Sequence, residues 1–114
     1  MVDEGLCKQA IKLWGEDAQL DMVIEEMAEL TKAILKYKRA HPSDKGAAIV
    51  HIAEEYADVK IMLDQLFVTM DSHDNGFLKH IQHFTKEKII RLMCRLDAAE
   101  ERRAELVRVA KVGK

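Results

Sequence analysis

Five carboxylates in two short stretches carry the clearest chemistry in this chain: Glu25, Glu26 and Glu29 within residues 24–30, then Glu55 and Asp58 within residues 54–58. Glu26 and Glu29 are three residues apart, as are Glu55 and Asp58, so on helices each pair reaches out from one side. Both stretches lie in strongly apolar company. Burying a carboxylate costs several kcal/mol unless it is paired or holds a metal. Four such groups facing one another would repel, and some would stay protonated. A hard divalent cation removes that penalty, and an all-oxygen donor set favours Mg²⁺, with Mn²⁺ as the substitute, over zinc. The di-iron bundle pattern needs Glu-x-x-His, and no histidine stands at the matching positions. A solvated acidic face paired with Lys32, Lys36 or Lys60 satisfies the same spacing, so at this level both readings stand.

The elements that must position these acids read as helices throughout. Residues 1–15 form a short helix with Leu6, Ala10, Ile11, Leu13 and Trp14 on its apolar side. Residues 16–40 follow, with Leu20, Ile24, Met27, Thr31, Ile34 and Leu35 at core-facing spacing and Met22, Val23, Leu30 and Ala33 as a second apolar side. The turn formers of residues 41–46, with the only proline, break the chain. A third helix over residues 47–70 carries the stripe Ile52, Tyr56, Val59, Leu63, Leu66 and Met70, beside which Glu55 and Asp58 lie. Residues 71–76 are a second polar break, and a last helix over residues 77–110 ends in a highly charged tail. The expectation is a single all-α domain over residues 1–114, an antiparallel helical bundle of four helices. The short loop between the two acidic helices makes them antiparallel neighbours. The two-sided apolar character of residues 20–35 and the small size of the chain imply a homodimer or a dimer of dimers.

Composition narrows the function classes. Hydrophobic residues make up 48% of the 114 residues, charged residues 33%, and the formal net charge is −2. That balance describes a folded, water-soluble chain and not a binder of nucleic-acid polymers. No apolar run approaches the roughly 20 residues that span a bilayer, and no signal pattern opens the chain, so a cytoplasmic location is expected. Cys7 and Cys94 match no zinc spacing and read as free thiols. Trp14 reads as a core or interface anchor, with ligand stacking as the alternative. His73, Asp74, His80 and His83 complete no tetrahedral metal set with their sequence neighbours, and read as surface or interface groups.

The two acidic motifs, Glu25-Glu26-x-x-Glu29 and Glu55-x-x-Asp58, resemble the signature of the MazG-like all-α nucleoside triphosphate pyrophosphohydrolases. The likeness spans roughly residues 13–96. It extends to a Gly-x-x-x-Gln step (Gly15 to Gln19), to an Asp-Val-x-x-x-Leu run (Asp58 to Leu63) and to a Lys-x-x-Arg step (Lys88 to Arg91). Where longer members carry Asn and a second Arg, this chain has Lys86 and Leu92. The resemblance implies Mg²⁺-dependent hydrolysis of an NTP or dNTP to a monophosphate and pyrophosphate, in the service of nucleotide-pool cleaning. On it, Glu26, Glu29, Glu55 and Asp58 would be the metal ligands. Glu25 would bind a second metal or orient the attacking water, and Lys88 and Arg91 would approach the phosphates. The neighbouring expectations are a related activity on phosphoribosyl-ATP or a signalling nucleotide and, in a different class, a non-catalytic helical oligomer that serves as a binding module.

Overall fold

The computed structural model describes residues 2–113. Helix α1 runs over Glu4–Trp14, α2 over Glu16–Arg39, α3 over Lys45–Asp71 and α4 over Phe77–Val112, with one short 3-10 turn at Pro42–Asp44. There is no strand among the described residues. The chain divides into two compact units, Met1–Asn75 and Gly76–Lys114.

In the first unit each helix boundary has a local cause. Asp3 accepts the Leu6 N–H at 3.1 Å and caps α1. Gly15 ends it with φ 91° and ψ 154°, its own N–H donating to Ile11 O at 2.7 Å. That backbone region is essentially reserved for glycine. One residue thereby turns the chain from α1 into α2 and leaves Trp14 at the elbow.

After α2 the chain reverses over five residues. Pro42 opens the 3-10 turn, and the His41 Nδ1 accepts the Ser43 N–H at 3.2 Å. Lys45 then reaches back to the last turn of α2, where its Nζ donates to Tyr37 O at 2.7 Å and sits 4.3 Å from the centre of the Tyr37 ring. A cation there adds a second partner to a carbonyl that already accepts the Ala40 N–H at 3.2 Å and complements the negative end of the α2 dipole.

The antiparallel pairing of α2 and α3 can be read from contacts along their length. Gln19 bonds Gln65, Glu26 meets Glu55 and Asp58, and Tyr37 meets Lys45, so the numbers rise on one helix as they fall on the other. The core is small: Cys7, Val23, Ala33, Met62 and Val68 are buried, with the polar Gln19 and Thr69 among them. Val2 N–H donates to Asp64 Oδ2 at 2.8 Å and fastens the start of the chain to α3. The His73 Nε2 lies 2.7 Å from Glu16 Oε1 and joins the turn after α3 to the start of α2.

The inward face of α2 is not the stripe that the periodicity favours. Ile24 is 67% exposed and Met27 51%, whereas Gln19, Val23 and Ala33 are buried and Glu26 and Leu30 half-buried on the row between them. α3 is rotated in the same sense. Of the expected stripe, Tyr56 and Leu63 are exposed while Ile52, Val59, Leu66 and Met70 are half-buried, and Glu55, Asp58, Met62, Gln65 and Thr69 form the row beside it that meets α2. The physical reason is that α2 is apolar on two sides. The side that carries Ala33, which is fully buried, permits the closer helix approach. In the second unit, α4 has no buried residue.

Two outcomes follow. Gly15→Ala forces an L-residue into the φ 91° conformation, where nothing within 4 Å obstructs the new methyl. Urea unfolding should therefore show a pure backbone cost of about 1–3 kcal/mol. The Cys7 thiol is raised above its ordinary value by burial and then by the charges of Asp64, Asp3 and Glu4, while Cys94 is exposed. Alkylation at mildly alkaline pH should accordingly label Cys94 and leave Cys7 unmodified until denaturant is added.

Candidate metal centre

Glu26 is placed by the inner row of α2, one turn on from Val23. Glu55 and Asp58 are placed by the inner row of α3, one turn short of Met62. Each offers a carboxylate oxygen within 4.8 Å of the others, and all three are half-buried. Oxygens bound to one Mg²⁺ at about 2.1 Å stand about 3–4 Å apart. The 4.8 Å spread is wider than that, so the three side chains would have to draw together to share one cation. The cluster is the one group of three or more potential ligands of this kind among the described residues.

Its electrostatics are those of an uncompensated site. The Glu26 carboxyl is pushed above its ordinary value, first by burial and then by the negative charges of Asp58, Glu55, Glu25 and Glu29. Each of these causes disfavours the charged form, and each is reversed by a cation at the centre. The donor set is all oxygen and acceptor-only when ionised, which suits a hard divalent ion.

The remaining expected site residues are placed as follows. Glu29 is half-buried and stands outside the three-carboxylate group, with its Oε1 3.6 Å from Lys32 Nζ. It is still near enough to contribute to the raised Glu26 value. Glu25 is exposed beside the cluster. Lys88 and Arg91 are exposed on α4, three residues apart and hence on one side of that helix. The histidines go elsewhere: His73 to Glu16, and His83 to Glu87 at 3.5 Å and edge-on to Phe84.

Sequence reasoning missed a polar pair beneath the neighbouring stretch of the same groove. The Gln19 side-chain amide donates to that of Gln65. Thr69 Oγ1 bonds Gln65 O at 2.9 Å, one turn along α3. The signal was present: Gln19 precedes Glu26 by seven residues and Gln65 follows Asp58 by seven. Seven residues is close to two full helical turns, so on antiparallel helices both fall in line with the acids and opposite each other.

No family model matches the chain, and neither a curated protein nor a solved structure is significantly similar to it.

The raised Glu26 pKa sets a direction for stability. Protonated Glu26 is compatible with its surroundings, so the fold's advantage is complete below the ordinary value of 4.5. It is lost as pH rises through the higher folded-state value. Glu26→Gln removes that loss. The variant should melt at a higher temperature than the parent at neutral pH and at the same temperature below pH 4.5. Millimolar Mg²⁺ should narrow the neutral-pH gap by stabilising only the parent.

Proposed function

We propose that this chain is a Mg²⁺-dependent nucleoside triphosphate pyrophosphohydrolase of the MazG-like type. It would split an NTP or dNTP between its α- and β-phosphates into a monophosphate and pyrophosphate. The observation that carries the reading is the convergence of Glu26, Glu55 and Asp58 between α2 and α3. Three carboxylates on adjacent inner rows are costly to keep together unless a cation joins them.

The chemistry divides among the chain's own groups. Glu26, Glu55 and Asp58 would hold the ion, with Glu29 completing the set on the side of α2 where it stands. Mg²⁺, when bound, neutralises phosphate charge and makes water a better nucleophile at neutral pH. Glu25, exposed at the edge of the cluster, accepts a hydrogen bond from the attacking water and orients it toward the α-phosphorus. The bond from water oxygen to that phosphorus forms as the bridging oxygen leaves with pyrophosphate. On the resemblance alone, Lys88 and Arg91 would be the cations for the phosphates, the guanidinium as a planar fork and the ammonium as a point charge.

We further read the working protein as a homodimer or dimer of dimers in the cytoplasm. Ile24, Met27, Ile34 and Leu35 form an outward apolar row on α2, with exposures between 43% and 67%. Rows of this size are normally covered. No helix among the described residues is long and apolar enough to cross a membrane, and Cys7 and Cys94 are free thiols.

The direct test is product analysis over a panel of NTPs and dNTPs, with phosphoribosyl-ATP and signalling nucleotides included. Monophosphate and pyrophosphate should form with Mg²⁺ or Mn²⁺ and not with chelator. Diphosphate and orthophosphate would contradict the assigned bond. Asp58→Ala should cut turnover by at least about a hundredfold, since even groups that merely support metal ligands are worth about 10–100-fold, while helix content is retained. In a non-catalytic oligomer the same change would be close to silent. Separately, Ile24→Glu should lower the mass measured by sedimentation to that of a smaller assembly.

A further inference from the structure

The groove between α2 and α3 does not end at the carboxylates. Toward the α1 elbow it opens into a cavity of about 560 Å³, lined by Trp14, Gln19, Asp21, Met22, Met62 and Gln65 among others. This lies within the range of small-molecule clefts, roughly 300–1,000 Å³. Its contents are specific. Trp14 is 63% exposed at the end of α1 and presents indole surface to the cavity rim. Met22 and Met62 supply soft apolar wall. At the base lies the Gln19–Gln65 amide pair, of which Gln19 is only 5% exposed.

Each amide has one donor end and one acceptor end. Pairing consumes one end of each and leaves one donor and one acceptor side by side. Both glutamines line the cavity, and among the described residues no buried side-chain polar atom lacks a partner, so the remaining ends are not sealed, unsatisfied, in the core. The geometry points to a binding site for a planar heteroaromatic base, stacked on Trp14 and held edge-on by Gln19 and Gln65. This assignment rests on the proposed nucleotide chemistry of the adjoining carboxylates for its choice of base.

Spacing and charge support that occupant. Gln19 stands seven residues from Glu26 on α2, and Gln65 seven from Asp58 on α3. At 1.5 Å per residue the base site and the metal centre are roughly 10 Å apart, about the reach from a base through its sugar to the first phosphates. Asp21 at the cavity carries a carboxylate. It accepts hydrogen bonds from sugar hydroxyls and repels phosphate, so the phosphates are directed to the other end of the groove.

The amide pair also fixes the kind of selectivity. If both amides rotate together by half a turn, the mutual hydrogen bond is kept and the order of free donor and acceptor inverts. One order matches the amino and ring-nitrogen edge of cytosine or adenine. The other matches the carbonyl and ring N–H edge of uracil or guanine. The site therefore accepts both edge types, with little discrimination between them.

Trp14 is the only tryptophan in the chain, so its fluorescence reports on the cavity directly. The test titrates the full chain with cytidine, uridine and ribose, without metal. Nucleosides carry no phosphate, so neither the metal centre nor hydrolysis enters the readout. Both nucleosides should quench Trp14, with dissociation constants within about threefold of each other, and ribose should not. The double variant Gln19→Met/Gln65→Met replaces both partners by apolar groups of similar shape, which keeps the fold. Its helix content should be unchanged and its affinity for both nucleosides about tenfold weaker. No quenching by either nucleoside, equal quenching by ribose, quenching by one nucleoside alone, or full affinity in the double variant would each overturn the assignment. The two readings fail separately. Quenching without metal-dependent cleavage of any triphosphate removes the enzyme and leaves the base site. Cleavage without quenching does the reverse.

Discussion

Three half-buried carboxylates with one sign of charge set the terms for the first unit of this protein. A helical pair normally buries its apolar rows and wets its acids. Here the opposite choice has been made along part of the α2–α3 seam, where Glu26, Glu55 and Asp58 face one another. Burial first, and then the negative charges of its neighbours, push the Glu26 carboxyl toward its neutral form. Such an arrangement survives in a marginally stable fold only if the rest of the seam holds it.

The rest of the seam does so by local means. Near the α2–α3 turn, the fully buried Ala33 allows close approach, and Lys45 ties the incoming helix to the last turn of the outgoing one. Beyond the acids, Val23 and Met62 are buried, and Gln19 donates one side-chain hydrogen bond to Gln65 across the seam. The acids are thus flanked on both sides by ordinary packing.

Much of this was legible in the sequence, and the failures are instructive. The helices were legible because the apolar positions recur at helical spacing and because two runs of turn formers separate them. The acids were legible because i, i+3 spacing on neighbouring antiparallel helices brings carboxylates to a common seam. Which face of α2 turns inward was not legible. Leu20, Ile24 and Met27 are as apolar as Met22, Val23 and Leu30, and only the closeness permitted at Ala33 separates the two choices. The same ambiguity explains Glu29. Three residues past Glu26 it lies about 60° around the helix, enough to leave the inner row and meet Lys32 instead. The Gln19–Gln65 pair could have been found by extending the alignment of the acids by seven residues each way. Gln19 stood out only as the end of the Gly-x-x-x-Gln step, and nothing in that step points to Gln65.

Whether the α2–α3 carboxylates hold a divalent cation is decided by a Mn²⁺ titration followed by electron paramagnetic resonance. The parent chain should remove Mn²⁺ from the free-ion signal with saturable stoichiometry, Mg²⁺ should displace it, and Glu55→Gln should abolish the site while leaving helix content unchanged. Equal Mn²⁺ uptake by the parent and by Glu55→Gln would overturn the metal centre and make the three carboxylates an acidic seam with no ion to explain it.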